Sequence, residues 1–448
     1  MLHRYPAMPL SKLCKKTFLS AVAAIALVGS SATQDAVADS SDTGFTKLFD
    51  GKSFEGWHGR PHIHRDKYAE ATEDQKAKWA EELTTHWSID GDELVNDGHG
   101  AYMTTNEEFG DMEFKLKYKT VARADSGIYL RGTPQVQIWD TTEEAKFKLG
   151  ANLGSGALWN NSPGTPGKDP LVKADKPFGE WNEVHVIQVG ARTTVKLNGE
   201  LVVDHAIMEN FWDRNMPLYA KGPIQLQTHG GEIRWKDIEV RRIGAEEANA
   251  ILASKSSDGF EPIFDGKTLA GWKGAVDDYE VVDGAIQCRK GRGGNLYTEE
   301  EMSRYVVRAE FLLPPGGNNG FAIHYSGKGN PAHDGLTELQ VLDHDHPKYG
   351  KLDPRQAHGS AYGMVAAKKG FLREIGQWNF QEMTIDGSKI KVELNGNVIL
   401  DADLAEVTEY MGGQKHPGID RRSGHFGFAG HSDPVRFRNL SVRKLDAN

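Results

Sequence analysis

The phrase FTKLFDGKSFEGW occupies residues 45–57, and FEPIFDGKTLAGW occupies 260–272, 215 positions further on. Phe-Asp-Gly-Lys, a hydroxyl residue and Gly-Trp do not recur at one spacing by accident. A chain that repeats itself at this period folds one domain twice, because each copy carries the same instructions for burying its apolar residues. The remaining register agrees. Trp181-Asn182 stands 16 residues before Leu197-Asn198-Gly199, and Trp378-Asn379 stands 16 before Leu394-Asn395-Gly396. His229 precedes Trp235 by six, as His431 precedes Phe437, and WSIDGDELV at 87–95 matches YEVVDGAIQ at 279–287. The copies run over 44–243 and 259–445.

Each copy reads as strand. DMEFKLKYKTV (111–121), TTVKLNGELVVDH (193–205), GEIRWKDIEVRRI (231–243), KIKVELNGNVILD (389–401) and VRFRNLSVRKL (435–445) alternate apolar and polar residues with period two. Turn residues, drawn from 50 glycines, interrupt them at short intervals, as in an antiparallel β-sandwich or barrel. Asn-Gly in each LNG predicts a tight hairpin with positive φ. Residues 65–84, rich in charge and helix formers, predict a helical insertion found only in the first copy. Residues 244–257, GAEEANAILASKSS, predict an interdomain linker with a helical turn.

Residues 1–38 carry Arg4, Lys12, Lys15 and Lys16, the apolar run FLSAVAAIALVG at 18–29, and Ala36-Val37-Ala38. That layout is a secretory leader, too short to span a bilayer and expected to be cut near Ala38. The expectation is an exported protein, periplasmic or extracellular, with no membrane insertion after cleavage. Removing four basic and one acidic residue with the leader moves the formal charge from −10 to −13. An acidic surface argues against nucleic acid as a partner, since phosphate binding needs clustered Lys and Arg. Cys288 is then the only cysteine, which rules out an internal disulfide and reads as a small core residue.

Polar residues concentrate at a few places. In TELQVLD (337–343), Glu338 and Gln340 share one strand face, Leu339 and Val341 the other, and Asp343 closes the strand. TPQVQIWD sets Gln135, Gln137 and Asp140 in the same register, so the first copy lacks a carboxylate at the Glu338 position. His229 and His431 lie just before the last strand of each copy. His358 and His324 occur in the second copy alone, and Arg131 stands at the His324 position. Two H-x-H runs, 62–64 and 344–346, have metal-like spacing but read as polar loops. Trp57, Trp181, Trp272 and Trp378 read as core.

The ordered motifs FDGK-x-x-x-GW, DSGI or NNGF, Gln/Glu-x-Gln-x-x-Asp, G-x-WN, LNG and the closing His resemble the 3-keto-disaccharide hydrolase family, also described as 3-keto-glucoside lyase and 3-keto-2-hydroxy-glucal hydratase. The resemblance spans nearly all of 44–243 and 259–445. It implies two tandem concanavalin-like jelly rolls whose concave faces hold sugars. It further implies cleavage of 3-keto-glycosides by C2 proton abstraction, β-elimination and hydration. His431, His358, Glu338 and Asp343 are then the catalytic candidates of the second copy, and His229 and Asp140 those of the first. Gln340, His324, Arg131, Gln135, Gln137 and Gln227 are the expected sugar-binding side chains. The developing enediolate requires either a divalent metal ion or a set of hydrogen-bond donors. Two other readings stand beside this one: a non-catalytic tandem carbohydrate-binding module gaining avidity from duplication, and an extracellular scaffold.

Overall fold

The computed structural model describes residues 44–446, so the leader expected over 1–38 lies outside the described residues. Each copy forms a sandwich of one eight-stranded and one five-stranded antiparallel sheet. The alternation explains why. In Met112–Thr120, Met112, Phe114, Leu116 and Tyr118 are buried, while Glu113, Lys115, Lys117 and Lys119 face outward. This strand therefore presents one dry face to the core and one wet face to solvent, whereas Arg304–Leu312 in the second large sheet is buried on both faces. In the small sheets, Ser126–Leu130, Thr133–Ile138 and Thr337–Leu342 are likewise buried on both faces. Polar side chains on their outer face are covered by loops, and that covering creates a hollow.

The two opening phrases have a common cause. Asp50 Oδ1 accepts from the amides of Lys52 and Ser53, and Asp265 Oδ1 from those of Lys267 and Thr268. Each Asp closes a local turn. Trp57 and Trp272 are buried and donate Nε1–H to the carbonyls of Leu48 and Ile263, at 2.6 and 3.0 Å. The 16-residue spacing is equally physical. Asn198 and Asn395 adopt φ of 54° and 48° in the LNG turns, and each donates Nδ2–H to the Asn after the tryptophan, Asn182 or Asn379, at 2.8 Å. Trp181 and Trp378 depart from the core reading. Both are half-buried on the outside of the large sheets, where Lys119 and Lys236 flank the first, and Arg438 lies 4.0 Å over the second.

The insertion is two helices, Arg65–Ala69 and Glu73–His86, the longer one opened by a capping box between Thr72 and Gln75. The longer helix lies along the strand Trp57–Arg60 and covers that edge of the small sheet. The linker forms a full helix, Ala245–Ser254, rather than one turn. Its Ala248 and Leu252 pack with Val189 and Ile243 of the first domain and Phe380 of the second. Glu393 completes that junction by accepting from Arg192 and Lys255. Cys288 is buried, and burial pushes its thiol up to about 11. Among the described residues no helix is long and apolar enough to cross a membrane.

Candidate active site

Asn318–Tyr325 and Thr337–Leu342 pair antiparallel, with Gly320 opposite Gln340 and Ala322 opposite Glu338. Leu339 and Val341 enter the core, which turns Glu338 and Gln340 to the concave side. There they line a cleft of about 370 Å³ with Asn318, His333, Tyr362 and His431, a volume within the usual range for small-molecule sites. His431 follows the strand Gly424–Ala429, and its Nε2 lies 3.8 Å from Glu338 Oε1. That approach raises the imidazole pKa above its ordinary value, against the burial that would lower it.

The cleft asks for hydroxyl groups. Gln340 donates Nε2–H to Asn318 Oδ1 at 2.7 Å, which leaves its Oε1 with no partner among protein atoms. Glu338 Oε1 is also buried and without a hydrogen-bond donor. Two unpaired acceptors in one cleft cost free energy unless a ligand brings donors, and a sugar does. Gly320 makes room for this arrangement, since a Cβ there would collide with the Glu338 carboxylate. Gly320→Ala is therefore expected to leave the protein folded, because Gly320 has no reserved φ, but to swing Glu338 away from His431. A crystal structure of the variant and an activity assay read the two effects. Full activity in that variant would show that the Glu338 position is unimportant.

The first domain keeps a related couple, built differently. Gly127 faces Gln137 as Gly320 faces Gln340, so Gln135 occupies the Glu338 position and Asp125 the Asn318 position. Gln137 donates to Asp125 Oδ1 at 3.0 Å, matching the Gln340–Asn318 bond, and Gln135 donates to Gln137. Asp125 Oδ2 lies 3.1 Å from both His229 Nδ1 and Lys146 Nζ. The carboxylate has moved to the neighbouring strand, yet the histidine still meets one. Burial alone would raise the Asp125 pKa, but His229 and Lys146 hold it below the usual carboxylate value. Contact with Asp125 in turn raises that of His229.

Several expected site residues lie elsewhere. His358 sits between the sheets against Phe311, with Nε2 3.1 Å from Gln381 Oε1, and burial drives its pKa down to about 3. His324 faces the opposite sheet, its Nε2 2.9 Å from the Ser303 carbonyl. Asp343 accepts from the Gly316 amide at 2.7 Å, and Asp140 from the amides of Arg123 and Thr142. Both carboxylates clip loops. Arg131 is fully buried and donates to the carbonyls of Tyr219 and Gly110, each at 2.9 Å. Arg131 and His324 share a left-handed backbone, with φ of 54° and 48°, and that bulge turns both side chains inward. Gln227 lies on the concave face of the first domain, 3.4 Å from the hydroxyls of Tyr102 and Tyr129.

Asp125, Lys146, Asn318, His333 and Tyr362 were not singled out from sequence. Superposing DSGI on NNGF would have set Asp125 on Asn318; nothing local marks the other three. The H-x-H runs do not act as pairs. His64 caps a helix while His62 stacks among aromatic rings, and His346 caps a turn while His344 is buried. Among the described residues no three His, Cys, Asp or Glu side chains converge as a metal would require. His431 and Glu338 supply two donors, and the donor set does not fit a resident divalent ion.

The model of the 3-keto-alpha-glucoside-1,2-lyase-like domain matches residues 44–241 and again 259–443. A protein of Bacteroides thetaiotaomicron named 3-keto-disaccharide hydrolase is 27% identical over 254 residues, covering 46% of this chain and 85% of its own. Among solved structures, a Parabacteroides distasonis protein assigned provisionally as a glycosyl hydrolase is 24% identical, with a TM-score of 0.37, covering 42% of this chain and 95% of its own. The carbohydrate-binding module CBM66 of Bacillus subtilis is 11% identical, with a TM-score of 0.26, covering 39% of this chain and 96% of its own. With two matched segments taking up most of its length, the chain belongs to the 3-keto-alpha-glucoside-1,2-lyase-like family, in two tandem copies.

Proposed function

We propose that the second-domain cleft cleaves 3-keto-glycosides, with His431 as the base. The observation that carries this reading is the His431–Glu338 couple beside two unpaired buried acceptors, Glu338 Oε1 and Gln340 Oε1. A ketone at C3 acidifies the C2–H bond, because the resulting carbanion delocalises into an enediolate. His431 Nε2 takes the C2 proton. The electron pair then forms the C1=C2 double bond as the C1–O bond breaks, and the departing oxygen receives the proton from His431. Glu338 stabilises the imidazolium formed in between, and Gln340, held by Asn318, fixes the sugar hydroxyls. Amide and hydroxyl donors of the cleft stabilise the enediolate oxygen, and no step is routed through a metal. Addition of water to the product makes the sum a hydrolysis. The direct test is incubation with a 3-keto-glucoside or 3-keto-trehalose, with 3-keto-glucose as the expected product. Glycan binding without product would favour a binding module instead.

The pH dependence follows from the same couple. A base must be neutral to act, so cleavage is expected to rise as pH climbs through the His431 pKa, which stands above the ordinary imidazole value. Glu338→Gln removes the charge that raises it. The acid limb of the kcat/KM profile should then move to lower pH, even as the plateau falls. An unmoved limb would show that another group titrates.

A further inference from the structure

The ladder registers of the two small sheets allow the floors of the hollows to be paired residue for residue. Leu226 faces Met103 as Phe428 faces Leu296, so Tyr102 stands for Asn295 and Gln227 for Ala429. Gln225 faces Tyr129 as Gly427 faces Ala322, so Tyr129 stands for Ala322. Where the second domain has one asparagine and two alanines, the first has two tyrosines and a glutamine. His62 lies above them, its ring centroid 5.4 Å from that of Tyr129 and 4.9 Å from that of Trp212. The first hollow therefore has a bulkier floor, and its lining is aromatic. It is still equipped. The His229 side chain is 60% exposed against a buried Asp125, and Gln227 Oε1 is buried with no partner.

A retained histidine–carboxylate couple in a hollow with bulkier, aromatic side chains on its floor needs an explanation. Maintaining fold does not supply one, because an exposed histidine holds nothing together. Exchange of the carboxylate between strands, Gln135 for Glu338 and Asp125 for Asn318, keeps the chemistry while altering the shape. The elimination proposed above produces a substrate that fits: 2-hydroxy-3-keto-glucal, a single unsaturated ring with no aglycone.

We infer that the domains divide the net hydrolysis, the second releasing the aglycone from the whole glycoside and the first adding water to the liberated 2-hydroxy-3-keto-glucal. This rests on the reading of the second cleft as the elimination site. In the hydration, water oxygen bonds to C1 while the C1=C2 electron pair moves toward the C3 carbonyl, giving the enediolate. His229, carrying a proton beside Asp125, delivers it to C2 as the C3=O bond re-forms. The proton lost by the added water restores His229, so one water is consumed and nothing is oxidised or reduced. Contact with Asp125 favours the protonated imidazole that this step needs.

The test uses the full-length protein and two substrates. Given separately prepared 2-hydroxy-3-keto-glucal, wild type is expected to hydrate it, and His229→Ala to do so at least tenfold more slowly. Given a 3-keto-glucoside, His229→Ala should release aglycone at the wild-type rate while the enone, followed by its ultraviolet absorbance, accumulates. Asp125→Asn should retain hydration but shift its alkaline limb to lower pH, a change that a merely structural carboxylate would not cause. Equal glucal hydration by His229→Ala and wild type would overturn the division. If the wild type hydrates glucal but never cleaves a glycoside, the reading of the second cleft fails by itself. Failure at both substrates removes both.

Discussion

His431→Ala is expected to lower kcat/KM for cleavage of a 3-keto-glucoside by roughly 10²–10⁴-fold, the usual worth of a positioned general base. Of the other expected catalytic side chains, His358 and His324 are enclosed in the sandwich and Asp343 is committed to a backbone amide. Glu338→Gln should cost less, because it removes the orienting charge and leaves the imidazole. The double variant should be little worse than His431→Ala alone, as befits groups acting as a unit. Initial rates of aglycone release supply the measurement, and aglycone release unchanged in His431→Ala would remove that residue from the mechanism. Replacing His431 and His229 together should abolish turnover to 3-keto-glucose.

The second large effect concerns how the domains are joined. Glu393 lies in Lys389–Leu394 of the second domain, with its side chain 3% exposed. It accepts from Arg192 of the first domain and from Lys255 at the end of the linker helix, 3.2 Å away. One carboxylate thus ties three parts of the chain. Glu393→Gln leaves Arg192 facing a neutral amide, while Lys255 keeps Glu382 at 2.9 Å, and breaking a buried pair in this way costs about 3–5 kcal/mol. The expected result is a large fall in melting temperature, with faster proteolytic cutting near 255–258. An unchanged melting temperature and cutting pattern would show that the junction does not depend on this carboxylate. The sign of the pH effect is also set. Burial would raise the Glu393 pKa, but Arg192 and Lys255 outweigh it and hold it at about 2. A carboxylate depressed in the folded state stabilises fully above its unfolded pKa of about 4.3, and that contribution is lost as pH falls towards the folded value. The wild-type junction should therefore hold through mildly acid conditions, whereas the Glu393→Gln junction should show no such titration.

Much of this architecture was legible in the chain because its causes are local. Asp50 and Asp265 close turns with amides two and three residues away. The LNG turns need only their own Asn and Gly, and strand alternation reports which face of a large sheet is dry. Local spacing misled where a residue's surroundings come from another strand. Trp181 looked like core, yet its neighbours are Lys119 and Lys236 across the outer face. Asp140 holds the same register as Asp343, but both serve the loops next to them. His358 lies near polar residues in sequence and inside the sandwich in space.

Duplication, strand content, hairpin positions and the family were settled by the sequence alone, since each depends on residues close together or on a pattern repeated twice. Which carboxylate meets each histidine was decided only by the tertiary structure. Strand pairing sets Glu338 beside His431 and Asp125 beside His229, and distances of about a hundred residues along the chain collapse to 3.8 and 3.1 Å. Hydrogen-bonded ladders fix those neighbours across the sheet, and order along the backbone carries no direct record of them.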